Sequence, residues 1–420
     1  MKLADVRTEF EKYIIIRDRY ALEMVLGTLI GNSLLPRDPL WTMIVAPSSG
    51  GKSTLLAPAA AINIVHFLDD LTEKTFLSGY KVKGKEVSLL KIIGSGVLCF
   101  SDFTSILSKN PNSKAEVLGQ LRLVYDGTFS KRTGTGEVKW AGKIGVIGAC
   151  TPDIYFALET ARSMGERFLY YTLEQPTDEE IVKKQEDVKM SSKDIAEAMK
   201  PFYSDYYESV SAFVGKHGIP ELVMTTEQLQ RMHAAAIFCV AAKATIHLDF
   251  KTSKPDAIVN RPGVGRDRKM FNTLLQALQL MNCHEADDPK APVADWMVEL
   301  VEKCAYSSVS RERRKILEIL SAYGTKKSAT EIGATDNFGL QKEGVEKYLY
   351  ALNAAGLIQK DTSSSTHRWY IEDQKTQNFV LGVSGVARID NLARDMEIVR
   401  QAEIDDFDTA VAEDDTVTVN

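Results

Sequence analysis

The sequence is short of several things, and each shortage excludes a class. None of its 420 residues belong to an apolar run long enough to span a bilayer, and Met1 to Tyr20 carries no basic-then-apolar leader pattern. The expectation is a soluble, cytoplasmic chain without a membrane partner. The five cysteines, Cys99, Cys150, Cys239, Cys283 and Cys304, include no C-x-x-C pair, which argues against a disulfide framework and against a zinc ribbon. They read as buried thiols, and Cys283-His284 has no second half of a metal site nearby. No internal repeat is present. Basic residues are missing from the end of the chain, where Glu403 to Asn420 holds seven acids and no base. Taking those seven from the net charge of −6 leaves the remainder at +1, so local basic patches are allowed and net charge decides nothing about nucleic acid.

What is present suffices for two or three domains, because single cores stop growing at roughly 250 to 300 residues. Residues 1–39 read as helical, with Phe10, Tyr13, Ile14, Ala21, Met24, Val25 and Leu29 at three-to-four spacing. Pro36 to Pro39 stops them. Leu40 to Val45 is a short apolar strand, and Ser53 onward, rich in Ala and Leu, is a helix. Two more apolar runs end in polar groups: Gly96 to Phe100 in Ser101-Asp102, and Lys143 to Ala149 in Cys150-Thr151. A helical stretch, Ile154 to Met164, precedes a fourth strand, Phe168 to Leu173. This alternation predicts an α/β core with a parallel sheet over 40–175, whose ligand sits at the carboxyl ends of the strands. A helical lid or collar is expected over 176–300. Residues 311–373, with three helices and a two-strand hairpin, follow the plan of a winged helix. A C-terminal extension spans 374–402, and the acidic tail 403–420 is expected to be disordered.

Ala46, Pro47, Ser48, Ser49, Gly50, Gly51, Lys52, Ser53 and Thr54 fit the phosphate-loop pattern between a strand and a helix. In such a loop, main-chain N–H groups encircle a phosphate, the Lys meets the β/γ oxygens and the Ser hydroxyl holds Mg²⁺. Ala46 replaces the first Gly, which is harmless if its φ is negative. ATP and Mg²⁺ are the expected cofactors, with Ser53 and Asp102 on the metal. Asp102, at the tip of its strand, would organise the metal's water shell or act as the base. The alternative is a helix N-cap. Glu116 and Asp126 are spare acids. Thr151 fits a sensor of the γ-phosphate or lytic water, or a cap before Pro152. Arg167 follows Gly165-Glu166 and could stabilise charge on a phosphate across a subunit boundary, or form an ordinary salt bridge.

Phosphate loop, Asp-ended strand, Thr-ended strand and Gly-Glu-Arg-Phe, in this order, resemble an AAA+ ATPase. More narrowly, the chain is similar to phage and mobile-element ATPases carrying Thr75 to Gly79, Asp102 to Leu107 and Gly165 to Tyr171. The Arg-Phe entry to the last strand also resembles minichromosome maintenance helicases, ring helicases related to superfamily 3, and this implies that Arg167 acts in trans. In ring helicases of this branch a hairpin grips DNA in the pore. Tyr125 to Trp140 reads as such a hairpin, with Lys131 and Arg132 on phosphate and Trp140 packing a base. A plain solvated turn is the alternative.

The basic loop Arg261 to Lys269 could supply a second arginine to the nucleotide or meet DNA, and Arg261, Arg266 and Arg268 are indistinguishable by sequence. In the winged-helix reading, Gln341 to Ala355 is the recognition helix, with Lys342 and Lys347 outward and Arg368 beside the wing. DNA contact and protein docking are both open to it. The expected molecule is an oligomeric, ring-shaped DNA motor of bacterial phage or plasmid type, a replicative helicase in the first instance, with a hexamer as one ring size the reading allows. The alternatives are an ATP-switched DNA-binding or partition regulator, and a helicase loader or protein remodeller acting with a replication partner.

Overall fold

A computed structural model describes residues 1–72, 75–76, 81–82, 85–86, 88–133, 136–155, 167–248, 255–260, 263–335 and 340–385. Outside the described residues lie 77–79 of the Thr75 to Gly79 string, most of the expected Ile154 to Met164 helix, and Gly165, Glu166 and Arg261. Everything from 386 on, with the acidic tail, lies outside them as well.

The chain divides into two compact units, one of Met1–Lys243 with Arg261–Arg311, the other of Ala244–Asn260 with the chain from Glu312. At the centre of the first are β1 (Trp41–Val45), β2 (Val65–Leu68), β5 (Gly96–Phe100), β8 (Ile144–Cys150) and β9 (Leu169–Thr172). They form one sheet in the order β2-β5-β8-β1-β9, and every neighbouring pair is parallel. A parallel sheet needs helical crossovers that cover its faces, which is why its inner strands read as mostly apolar runs. All seven residues of β8 are buried.

Strand alternation sends the side chains of β1 to two helix layers. Trp41, Met43 and Val45 join a cluster with Val117, Leu121 and Val124 of α6 (Pro111–Tyr125). Thr42 faces the other way, its hydroxyl 3.0 Å from that of Thr28 in α2 (Ala21–Ser33). Asn32 of α2 donates to the Leu40 carbonyl at 2.7 Å and accepts from the Leu40 N–H at 2.8 Å. Its amide fills the space a Cβ on position 145 would need, so β8 carries Gly145 there.

Two details differ from the sequence reading. The helix after the loop, α3 (Lys52–Leu56), has five residues and gives way to a 3₁₀ turn over Ala57–Ala61. Pro58, lacking an N–H, fits a first turn and not a helix interior. The edge strand β2 had no counterpart in that reading.

Two small hairpins, β3 (Lys81–Val82) with β4 (Lys85–Glu86) and β6 (Thr128–Thr133) with β7 (Gly136–Ala141), leave the sheet. Helices Asp178–Asp187, Ser192–His217, Thr226–Lys243, Val264–Ala286 and Asp295–Ser307 complete the unit. The first two open with Thr177-Glu180 and Ser191-Asp194 capping boxes. Among the described residues no helix is long and apolar enough to cross a membrane.

In the second unit, helices Arg311–Tyr323, Ala329–Gly333 and Lys342–Ala354 accompany a three-stranded sheet. The central strand, Arg368–Tyr370, pairs antiparallel with both Lys327–Ser328 and Gln359–Asp361. The sequence suggested two of these strands, the third being only two residues long. The hairpin Thr245–Leu248 with Pro255–Asn260 belongs to this unit and packs against helix Lys342–Ala354.

Candidate nucleotide site

The carboxyl ends of the five strands carry the polar residues. Val45 is level with Cys150 of β8 and Thr172 of β9, and Phe100 is level with Gly148. Thr151 therefore sits between the loop leaving β1 and Asp102 leaving β5. At ~4.8 Å per strand, the loop and Asp102 are separated by roughly 10 Å, room for a polyphosphate and a hydrated cation.

The loop is folded tightly. The Ala46 N–H donates to the Cys150 carbonyl at 3.2 Å, and the Gly50 N–H to the Pro47 carbonyl at 3.1 Å. Ala46 is not among the residues with positive φ, whereas Ser49 (63°) and Gly51 (77°) are. Left-handed backbone at two positions flanking Gly50 doubles the chain back on itself; turns of this kind are among those that can form anion-receiving nests. Lys52 curls back over this turn, its ammonium donating to the Ala46 and Pro47 carbonyls at 2.8 and 2.6 Å. Burial draws its pKa below the usual lysine range, opposed by Cys150 and Asp102. Pro47, Ser48, Ser49 and Ser53 are exposed, and Thr54 is buried beneath the loop.

Asp102 is exposed, and its Oδ1 accepts from the Thr104 N–H at 2.9 Å. The bond reaches two residues on, a local Asx turn; the N-cap of helix Thr104–Leu107 is Phe103 and not Asp102. Thr104 in turn accepts from the Thr151 N–H at 3.2 Å, tying the two strand ends together. The Thr151 hydroxyl donates to Asp153 at 3.1 Å.

Arg167 is not near this loop. It precedes β9 at the amino end of the sheet, a strand length of about 16 Å from Val45. Only 9% exposed, it lies 3.6 Å from Asp126 and over the Tyr125 ring at 5.5 Å. Burial and the positive charge of Arg266 lower its pKa, while Asp126 raises it. Of the two described arginines in the basic loop, Arg266 is the one whose charge acts on Arg167. Asp126 stands at the wrong end of the sheet to be a base for its own chain's loop. Glu116 is exposed in the second turn of α6.

The β6–β7 hairpin corrects one expectation. Trp140 does not pack a base: it is 6% exposed, opposite Phe129, and its Nε1 donates to the Gly94 carbonyl at 2.8 Å. Alternation fixes this, since Phe129, Lys131, Val138 and Trp140 share one face of the hairpin. Arg132 lies on the other face, exposed, with Ser130, Glu137 and Lys139. Lys131 and Arg132 therefore project from opposite sides near the tip.

In the second unit, Lys342 and Lys347 are exposed, but Glu343 and Glu346 share their helix, and Lys342 lies 3.9 Å from Glu346. Arg368 donates to the Lys326 carbonyl at 3.1 Å and lies 3.6 Å from Glu331. Buried His284 packs edge-on against Tyr206 and Phe213, and the Cys283 thiol contacts the Ala291 carbonyl at 3.7 Å, so this pair serves packing.

Sequence reasoning passed over the residues after β9. Gln175 lies directly against Gly50. Its place just past an apolar strand is the signal that singled out Asp102 and Thr151, and it applies equally here. The sequence matches no protein-family model and no curated protein.

Proposed function

We propose that the chain is an ATP-hydrolysing oligomer that works on DNA, with its nucleotide at the Ala46 to Thr54 loop. The observation that carries this reading is the loop itself: a turn with left-handed φ at Ser49 and Gly51 just past a buried strand, with the Lys52 ammonium folded onto it. Bound Mg-ATP would supply the labile phosphoanhydride and the cation's charge. The chain's own parts then have defined tasks. Lys52 would turn from the Ala46 and Pro47 carbonyls to phosphate oxygens, Ser53 and Asp102 would hold the cation and its water, and Thr151 would hold the water or terminal phosphate. The set lacks an acid beside Asp102, since Phe103 there is buried. Asp102 is thus the nearest candidate base.

The distance of Arg167 from its own loop supports the oligomer. An arginine at the amino edge of the sheet has no phosphate to meet in its own chain, and a neighbouring copy would provide one. Arg266 would accompany it. Hairpin β6–β7 is the part that would meet single-stranded DNA, through Arg132 and Lys131. The second unit we read as a winged helix. The balance of Lys342 and Lys347 by Glu343 and Glu346, and the pairing of Arg368 with Glu331, support protein docking, as in a helicase loader, over duplex reading as in a partition regulator.

Calorimetric titration with Mg-ATP tests the centre of this reading. Wild-type protein is expected to bind with a micromolar constant, and Lys52→Ala to lose measurable binding while keeping its thermal midpoint. A wild type without affinity for Mg-ATP, or a Lys52→Ala variant that binds equally well, overturns it.

A further inference from the structure

Gly50 crosses over the start of its own loop. The atoms nearest to a Cβ at that position would be Gln175 Oε1 at 2.6 Å, Ala46 Cβ at 3.0 Å and the Pro47 carbonyl at 3.0 Å. Of these three, Gln175 alone comes from outside the loop. The two residues before it are fixed. The Leu173 N–H donates to the Val45 carbonyl at 2.9 Å, extending the β1–β9 pairing past the last residue of β1. The Glu174 N–H donates to Asp18 at 3.0 Å.

Asp18 is 2% exposed and far away in sequence, yet it collects donors from four directions. The Tyr171 hydroxyl (2.6 Å), the Tyr20 N–H (3.0 Å), the Glu174 N–H and the Lys303 ammonium (2.8 Å) all reach it. Lys303 also bonds Glu174 at 2.5 Å and lies over the Tyr171 ring. A buried carboxylate with this many partners holds its surroundings in one arrangement, since each donor left unmet would carry a desolvation penalty. Two acids beside an anion site would repel a polyphosphate, and here one lysine neutralises part of that charge. The side chain actually presented to the loop is a neutral amide.

We propose that Gln175 is a positioning residue of the nucleotide site: braced by the Asp18–Lys303 cluster, it holds the Gly50 crossing in the anion-receiving shape. The proposal rests on the nucleotide reading above. A loop ordered in advance loses less conformational freedom on binding, so removing the brace weakens affinity. The Gln175 amide also donates from Nε2 to the Leu173 carbonyl at 3.2 Å, which fixes Oε1 toward Gly50.

Mg-ATP titration of the full chain distinguishes the cases, with Lys52→Ala as the control. Gln175→Ala is expected to weaken binding about tenfold, the scale of one loop residue regaining its backbone freedom. Gln175→Glu keeps the shape and adds a charge beside the polyphosphate, so it should weaken binding about a hundredfold at low salt and recover as salt is raised. Both variants should keep the wild-type thermal midpoint, since the side chain is only half-buried. Variants that bind within twofold of wild type, or a Gln175→Glu variant without salt dependence, overturn the brace while leaving the nucleotide site standing, provided Lys52→Ala has lost binding. If wild type itself does not bind Mg-ATP, the nucleotide reading fails and the brace goes with it.

Discussion

Gly50 and Gly51 are adjacent, and the structure requires glycine at each for a different reason, which makes them a sharp test of the loop's shape. At Gly51 a Cβ would meet nothing within 4 Å, but φ is 77°. Alanine there costs about 1–2 kcal/mol, the penalty of an L-residue in the left-handed region. Asparagine enters that region at less cost and should recover part of the loss. Gly50 has no such torsional demand. Its Cβ would instead stand 3.0 Å from both Ala46 Cβ and the Pro47 carbonyl, neither able to rotate away. Overpacking of this kind costs about 1–3 kcal/mol, or roughly tenfold to a hundredfold in a dissociation constant. At Gly50 asparagine should therefore be worse than alanine, reversing the order at Gly51. Adding Gln175→Ala to Gly50→Ala should restore part of the affinity, because the closest collision, 2.6 Å, is with that side chain. Mg-ATP calorimetry on the four single variants and the double variant measures all of this, with thermal melting to check the fold. The same rank order at both positions would show that the loop in solution has a different shape, and the argument from its left-handed turns would fail.

Arg167→Ala is expected to spare Mg-ATP binding and lower turnover by about 10³. Mixing it with Asp102→Ala subunits should return part of the ATPase rate, and no return rules out a shared site. Lys131→Ala with Arg132→Ala should abolish stimulation by single-stranded DNA without changing the unstimulated ATPase rate; undiminished stimulation removes the hairpin from DNA contact. Burial lowers the pKa of Lys143 to about 8 from 10.5, although it donates to the Gly31 and Leu35 carbonyls. Between those values the unfolded chain holds more protons than the folded one, so the stability of wild type relative to Lys143→Gln should rise from pH 8 toward 10 in urea unfolding. A flat difference would show that Lys143 is solvated.

The sheet was legible because β1, β5, β8 and β9 are almost wholly buried and so consist mostly of apolar residues. β2 was not, since Val65-His66-Phe67-Leu68 lies at the edge, is mostly half-buried and runs straight into Asp69-Asp70. Proximity was the harder matter. The Ala46 to Thr54 pattern reports its own shape locally, but that Asp102 and Thr151 stand beside it depends on strand order, which no spacing in the sequence encodes. Trp140 was misread for a related reason. An aromatic in a basic hairpin suits base stacking, and only the pairing with Phe129 shows that it faces the core. Asp18 could not have been found at all, because its partners lie up to 285 residues away.

The wiring of the hairpin bears on how hydrolysis could be turned into movement. At its base, Trp140 is bonded to Gly94, the Gly142 N–H donates to the Gly127 carbonyl at 3.1 Å, and the Lys143 N–H donates to the Ser95 hydroxyl at 3.1 Å. Gly94 and Ser95 lead into β5, the strand that ends at Asp102. The hairpin is therefore attached at its root to the lead-in of β5 through short main-chain, hydroxyl and indole bonds. On the other side, Asp126, the partner of Arg167, is followed directly by Gly127 and the first strand of the hairpin. If Arg167 is drawn to a neighbour's phosphate, the segment that releases it is the root of the hairpin. If the chain is the oligomer proposed, a change of nucleotide would act on the hairpin by moving one sheet against the next, because the hairpin's root is bonded to the lead-in of β5 and continues from α6.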